Sequence, residues 1–282
     1  MKPANVLSTA LHSGVQRLAE LPQGRRDAQL LLLRVLDRDV AWLLTHPEAP
    51  LNEEQLRLYD EWITRRARQE PVQYILGEQE FYGLRLRVNG DVLIPRPETE
   101  HVVEAVLERV AHDAPLRLCD VGTGSGAIAI ALAHALPLAA VTAVDLSPAA
   151  LAVARENAER HGVADRVRFV ASDLLAAVQG ERFDGVVSNP PYVRNDEVLE
   201  TQVGEYEPHS ALFAGPTGLE VYRRLIPEAS AVLVAGGWLV MEMGQGQKDA
   251  VAELLANWDE VGFRADLQGI PRVAMARRRA SE

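Results

Sequence analysis

A chain of 282 residues, 48% apolar and 24% charged, has the composition of a globular protein able to bury a core in one large or two unequal domains, and lies outside the disordered and collagen-like ranges. Its single cysteine, Cys119, excludes an intramolecular disulfide framework and fits a reducing compartment. The net charge of -11 sits in the C-terminal two thirds, since residues 1–90 hold twelve basic and twelve acidic side chains and residues 91–282 hold 17 and 28, which argues against a basic face for nucleic-acid phosphates.

The first segment, "MKPANVLSTALHSGVQRLAE", spreads charged and polar residues through what would be the core of a secretion signal, and no run approaches the ~18 apolar residues of a membrane span. A cytoplasmic protein without membrane association is expected. Residues 4–70 read as helical: "RRDAQLLLLRVLDRDVAWLL" at 25–44 carries an apolar face, and "NEEQLRLYDEWITRRARQE" at 52–70 opens on Asn52 and Gln55 in capping-box spacing before Pro71. The period then changes from 3.6 to 2. Leu84, Leu86 and Val88 alternate with Arg85 and Arg87, and Asn89-Gly90 precedes "DVLI", a hairpin signal that marks the domain joint. "PRPETE" at 95–100 stops the strand and starts a helix near Pro97 that runs to about His112.

From residue 116 the pattern alternates strand and helix: "LRLCDVG", "SGAIAIALAHAL", "AAVTAVD", "SPAALAVARENAERHG", "RVRFVASD" and "FDGVVSN". Such alternation predicts a parallel sheet with helices on both faces, a doubly wound α/β architecture. A polar stretch follows at 193–218, then a helix near 218–234, the strand "GWLVMEM" at 237–243, another helix, and a last strand near "PRVAMARR". The basic run Arg277–Arg279 reads as a solvated chain end.

"DVGTGSGAIAIALA" places Gly122, Gly124 and Gly126 between the first strand and its helix, where glycine permits a sharp turn and close approach to a ligand at a helix N-terminus. Gly122, Gly124 and Ala127 also satisfy the looser dinucleotide pattern, so a nicotinamide oxidoreductase stays open at this point. Both nucleotide readings expect Asp145, at the end of the second strand, to accept from ribose hydroxyls, because Ser147 before Pro148 already caps the next helix. Asp173 is placed to accept from an adenine amino group, with Leu174 as an apolar wall.

The fourth strand separates the readings. It ends in Asn189-Pro190-Pro191-Tyr192 at the carboxyl edge where open sheets bind ligands. A dehydrogenase needs a proton donor there, whereas this tetrapeptide offers a planar amide, carbonyls held by two prolines, and a ring. That favours methyl transfer to a planar nitrogen.

The motifs "GTGSG", "VDLS", "SNPPY" and above all "LIPRPETE", with "PVQYILGEQEFYG" before them and "GIPRVAMARR" at the end, resemble the release-factor glutamine N5-methyltransferases, the PrmC or HemK family. "NPPY" alone would also suit an adenine N6-methyltransferase. The resemblance implies a small N-terminal helical domain at 1–75 that recognises substrate, a β-hairpin linker at 76–95, and a seven-stranded class I, Rossmann-like methyltransferase domain at 96–282. It implies transfer of a methyl group from S-adenosylmethionine, leaving S-adenosylhomocysteine, to the glutamine of the Gly-Gly-Gln loop in peptide chain release factors. Cofactor contacts are expected at Gly122, Thr123, Gly124, Ser125, Gly126, Asp145, Asp173, Leu174 and Asn189, and catalytic roles at Asn189, Pro190, Pro191 and Tyr192. No metal and no nucleic-acid partner are expected. Relatives often carry an aromatic residue where this chain has Leu174. Arg96, Glu98, Thr99 and Glu100 face two accounts, closure over the pocket or helix capping.

Overall fold

A computed structural model describes residues 6–280, so the expected helical start at residue 4 lies outside the described residues. The chain divides into two units, one running to Gly77 and including Glu200–Tyr206, the other made of Glu78–Leu199 and the residues from Glu207 onward.

The first unit is helical: α1 (Leu7–Arg17), α2 (Gly24–Leu36), α3 (Val40–Thr45), α4 (Glu53–Ala67) and α5 (Val72–Leu76). Residues 25–44 fall on two helices: the left-handed backbone of Asp37 ends α2, and Asp39 starts α3 by accepting from Trp42 N at 2.7 Å. The capping box of α4 forms as read: Asn52 Oδ1 accepts from Gln55 N at 2.8 Å and Gln55 Oε1 accepts from Asn52 N at 3.0 Å. The helices close on a core of Leu7, Leu18, Leu31, Leu32 and Ile63. Gly14 lets α1 approach α4, since a Cβ there would lie 2.1 Å from the Tyr59 hydroxyl. That hydroxyl donates to Ala28 O at 3.1 Å.

The second unit opens with a hairpin, β1 (Glu78–Phe81) and β2 (Leu84–Arg87). Its turn is Tyr82-Gly83, both with positive φ, and not Asn89-Gly90. Two left-handed residues match the twist of a two-residue hairpin; Asn89 instead folds its Oδ1 onto Asp91 N at 3.0 Å, a local turn that carries the chain toward the pocket. One 3₁₀ turn, Pro97–Thr99, leads into α6 (Glu100–Leu107), shorter than the helix expected to reach His112.

The sheet strands and their helices then follow: β3 (Arg117–Val121), α7 (Ala127–Ala135), β4 (Ala140–Asp145), α8 (Pro148–Arg160), β5 (Val167–Ala171) and β6 (Phe183–Ser188). The polar stretch after β6 contains a small ladder of β7 (Val193–Arg194) with β8 (Phe213–Gly215), and between them the short α9 (Thr201–Gly204), which groups with the helical unit, and α10 (His209–Leu212). Next come α11 (Glu220–Val232), β9 (Leu233–Glu242), α12 (Lys248–Leu254), β10 (Asp259–Ala265) and β11 (Pro271–Arg277).

Seven strands form one sheet in the order β10-β11-β9-β6-β3-β4-β5. The five from β9 to β5 run parallel, and β11 runs antiparallel to both its neighbours. This is the doubly wound α/β fold expected. Alternate side chains on each strand serve opposite faces. Leu118, Val187 and Val240 pack with α6 and α7, while Cys119, Val186 and Leu239 pack with α11 and α12. The chain steps outward from β3 to β5 and returns to β6 on the other side of β3, so the crevice of such a fold lies beyond the carboxyl ends of β3 and β6.

Candidate active site

A cavity of about 240 Å³ occupies that crevice. Its first wall is the loop between β3 and α7. Gly122, Gly124 and Gly126 all have positive φ, but they serve different ends. A Cβ at Gly122 or Gly124 would meet nothing within 4 Å, so the bare backbone faces open space, whereas a Cβ at Gly126 would lie 2.8 Å from Ile130 Cδ1 and 3.2 Å from Ala154 Cβ. The first two permit close approach of a ligand; the third lets α7 pack on α8.

Buried side chains hold this loop. Asp120 Oδ2 accepts from Thr123 Oγ1 at 2.6 Å and from Ala129 N at 3.1 Å; burial pushes its carboxyl up to about 7, against the pull of those two bonds. On α8, the fully buried Asn157 donates to Ser125 O and Arg87 O, both at 2.9 Å, and accepts from Arg87 N at 2.6 Å. One amide thus ties the hairpin to the glycine loop. Nothing in the local sequence around Asn157 signals this, because its partners lie 32 and 70 residues away.

Asp145 closes the next side. Its Oδ2 accepts from Gly124 N at 2.9 Å and its Oδ1 from Ser147 N at 2.8 Å, while Ser147 Oγ caps α8 by accepting from Ala150 N. Burial raises the Asp145 carboxyl and these backbone bonds oppose it. Each oxygen keeps a lone pair for a further donor, so bracing the loop and holding hydroxyls are compatible. Beyond β5, Asp173 Oδ2 accepts from Arg224 Nη2 at 2.7 Å in a half-exposed pair. Its other oxygen is left for an amino donor. Leu174 beside it sits at φ 48°, an uncommon backbone for a leucine, and lines the cavity.

The elbow after β6 forms the far wall. Ser188 Oγ donates to Val121 O at 2.7 Å, pinning the strand end. Asn189 and Pro191 line the cavity with Gly122, Thr123, Gly124, Ser125, Asp145, Asp173 and Leu174; Gly126, Pro190 and Tyr192 do not. The Tyr192 ring packs against the core below the sheet and its hydroxyl donates to Glu242 Oε1 at 3.3 Å. The ring thereby anchors the elbow to β9. The Tyr192 carbonyl accepts from Gln247 Nε2 at 3.0 Å, and Gln247 Oε1 accepts from Gly244 N at 3.0 Å and from the Tyr222 hydroxyl at 3.2 Å.

"PRPETE" resolves residue by residue. Arg96 pairs with Glu207, a buried carboxylate that also accepts from Ile94 N at 3.0 Å. Glu100 Oε1 accepts from Tyr82 N at 2.8 Å. Thr99 does not cap α6. Its hydroxyl donates to Glu242 Oε2 at 2.5 Å and accepts from Asn189 Nδ2 at 3.0 Å. Burial pushes the Glu242 carboxyl up to about 7, Glu98 adds to that rise, and Thr99, Tyr192 and Arg272 oppose it. Glu242, Arg224, Gln247 and Asn157 are absent from any motif, and only the sheet order brings them to the site.

The wall chemistry suits a neutral nucleoside carrying a cation: carboxylates for hydroxyls and an amino group, open glycine backbone, and amide and carbonyl oxygens at the elbow. A family model described as the PrmC N-terminal domain matches residues 9–77, and one described as the methyltransferase small domain matches residues 100–206. The chain is 45% identical over 280 residues to a protein of Koribacter versatilis named "Release factor glutamine methyltransferase", covering 98% of this chain and 99% of that one. A protein of the same name from Geobacter sulfurreducens is 44% identical over 260 residues, 90% of this chain and 89% of its own length. Among solved structures, a methyltransferase from Pyrococcus furiosus has the same fold, with a TM-score of 0.54 at 19% identity over 77% of this chain and 99% of that one.

Proposed function

The chain belongs to the release factor glutamine methyltransferase family, and from that premise we propose that it transfers a methyl group from S-adenosylmethionine to the side-chain amide nitrogen, N5, of the glutamine in the Gly-Gly-Gln loop of peptide chain release factors. The observation that carries this reading is the Asn189 amide, which lines the same cavity as the open glycine loop and has its nitrogen tied to Thr99, so that its oxygen is left to accept from a substrate. The nicotinamide reading falls with the family. A cytoplasmic location follows from the substrate, and no described helix is long and apolar enough to cross a membrane.

When bound, S-adenosylmethionine supplies an electrophilic methyl on a sulfonium. The residues that would hold it are Gly122 to Ser125 along the chain portion, Asp145 at the ribose, and Asp173 with Leu174 at the adenine. An amide nitrogen is a weak nucleophile because its lone pair is shared with the carbonyl, and it gains positive charge as the new N–C bond forms. Asn189 Oδ1 and the Pro190 carbonyl each accept one N–H, which aims the nitrogen and stabilises that charge before it develops. Pro190 and Pro191 keep the acceptors still. Tyr192 contributes by anchoring the elbow on Glu242 and Gln247. The methylated nitrogen releases its extra proton to water, so no general base is assigned.

The helical unit is proposed to recognise the release factor, its charge balance suiting a protein surface better than a polyanion. The test of the reaction is mass spectrometry of a release factor after incubation with enzyme and S-adenosylmethionine. One added methyl on the Gly-Gly-Gln glutamine is expected; an unmodified glutamine with methyl groups elsewhere removes the reading. Asp145→Ala should weaken S-adenosylhomocysteine binding by about 1.5–3 kcal/mol for each charge-assisted bond lost. Titration calorimetry giving the unmodified affinity would take Asp145 off the ribose.

A further inference from the structure

Asn189 has a pseudo-symmetric side chain, and only one of its two orientations turns an acceptor toward a substrate N–H. The Thr99–Glu242 pair behind it decides which. Ser188 pairs in register with Met241 on the neighbouring strand, so Asn189, just past the end of β6, lies beside Glu242, the last residue of β9. Glu242 is 2% exposed and its Oε2 lies 2.5 Å from Thr99 Oγ1, which lies 3.0 Å from Asn189 Nδ2. A carboxylate can only accept, so it takes the one proton of the Thr99 hydroxyl. Thr99 is then left with lone pairs alone toward Asn189, and only the NH₂ end of the amide can meet them. The oxygen end is forced the other way.

We infer that Thr99 is a positioning residue for the transfer, relaying the acceptor-only character of Glu242 to Asn189 and so fixing the Asn189 carbonyl as the group presented to the substrate amide. Thr99 lines the cavity but acts on the reacting nitrogen only through Asn189 in this scheme. Tyr192 and Tyr222 secure the relay from below, through Glu242 Oε1 at 3.3 Å and the Glu242 backbone carbonyl at 3.2 Å. The threonine of "PRPETE" is accounted for in this way, as neither a lid nor a cap.

The inference rests on the proposed reaction, and its test separates the two. Full-length enzyme and intact release factor are assayed at pH 8.5, above the value of about 7 where the buried Glu242 carboxyl titrates, so that the carboxylate is acceptor-only. Thr99→Val, which keeps the shape and removes the hydroxyl, is expected to lower kcat by about 10- to 100-fold, somewhat less than the loss of a preorganised group itself. KM for the factor and affinity for S-adenosylhomocysteine stay unchanged. Thr99→Ser restores most of kcat, because serine offers the same donor and lone pairs. On an Asn189→Ala background Thr99→Val causes no further loss, since the two act through one group. If Thr99→Val does not fold, as judged by its melting temperature and S-adenosylhomocysteine binding, Thr99→Ala goes through the same cycle. Full turnover without the hydroxyl, failure of serine to restore it, or additive losses in the double variant overturns the inference. Failure of the unmodified enzyme to methylate the glutamine overturns the reaction instead.

Discussion

Asn189→Ala lowers kcat for release-factor methylation by about 10²- to 10³-fold, the usual consequence of deleting one preorganised polar group at a reacting centre, while the affinity for S-adenosylhomocysteine changes little. The reason is geometric. The strand end is pinned independently by Ser188 Oγ on Val121 O, and the elbow by Gln247 on the Tyr192 carbonyl, so alanine removes an acceptor without releasing the backbone that carries it. Stability falls modestly, because Thr99 loses a donor but keeps Glu242. Asn189→Asp is the sharper variant. It keeps an acceptor yet sets a second carboxylate against a threonine hydroxyl whose only proton already goes to Glu242, and the repulsion turns the new side chain away from its place. The aspartate variant is expected to recover only part of the alanine loss. Steady-state kinetics with calorimetry on the same preparations checks both. Near-normal turnover in Asn189→Ala together with a lowered melting temperature would make the elbow architecture and end the proposed mechanism.

Asn189 is legible in the sequence and Thr99's task is not, for a reason that recurs throughout the molecule. A motif announces itself when its parts are local: the glycine loop, the Ser147 cap and the Asn52–Gln55 box each lie within a few residues, and each forms as read. Thr99 and Glu242 are 143 residues apart, and their contact depends on β9 lying beside β6, a fact of topology. Asn157 and Arg224 are invisible for the same reason. The strands show the same division. Those buried on both faces read as apolar runs, whereas β10 is an edge strand, "DEVGFRA", with no fully buried residue and broken by a bulge at Glu260 with φ 48°; it has no period of its own to find. The hairpin turn is misplaced in the sequence reading because Asn-Gly is the stronger local signal, but Phe81 on β1 and Leu86 on β2 are the residues that must be buried, and the register that buries both, with Phe81 opposite Leu84, puts Tyr82-Gly83 at the bend.

The largest loss of stability is expected from Asp27→Ala in the helical unit. Asp27 Oδ2 accepts from Arg66 Nε at 2.7 Å, with both side chains at most 10% exposed, and the rest of the guanidinium donates to Glu70 O at 3.1 Å and to Gln202 Oε1 at 3.4 Å. Arg66 cannot shed its charge, so removing Asp27 leaves a buried cation without its counter-ion, which costs about 3–5 kcal/mol. Arg17–Asp60 is the control. It is as short, at 2.5 Å, but Asp60 is 70% exposed, and Asp60→Ala should cost no more than about 1 kcal/mol because water replaces the partner. Denaturant unfolding of the three proteins distinguishes burial from mere proximity; equal losses would mean that the buried pair is no more than a surface contact. The pair also offers a way to test what the helical unit is for. Asp27→Leu with Arg66→Met replaces both charges by apolar groups, which restores stability when the site can repack. If the unit recognises the release factor through its folded surface, Asp27→Ala raises KM for the factor while sparing S-adenosylhomocysteine binding, and the double variant recovers the low KM. A double variant that folds well yet still fails on the factor would sink the idea that the folded surface of this unit, with the buried pair only supporting it, is what recognises the factor.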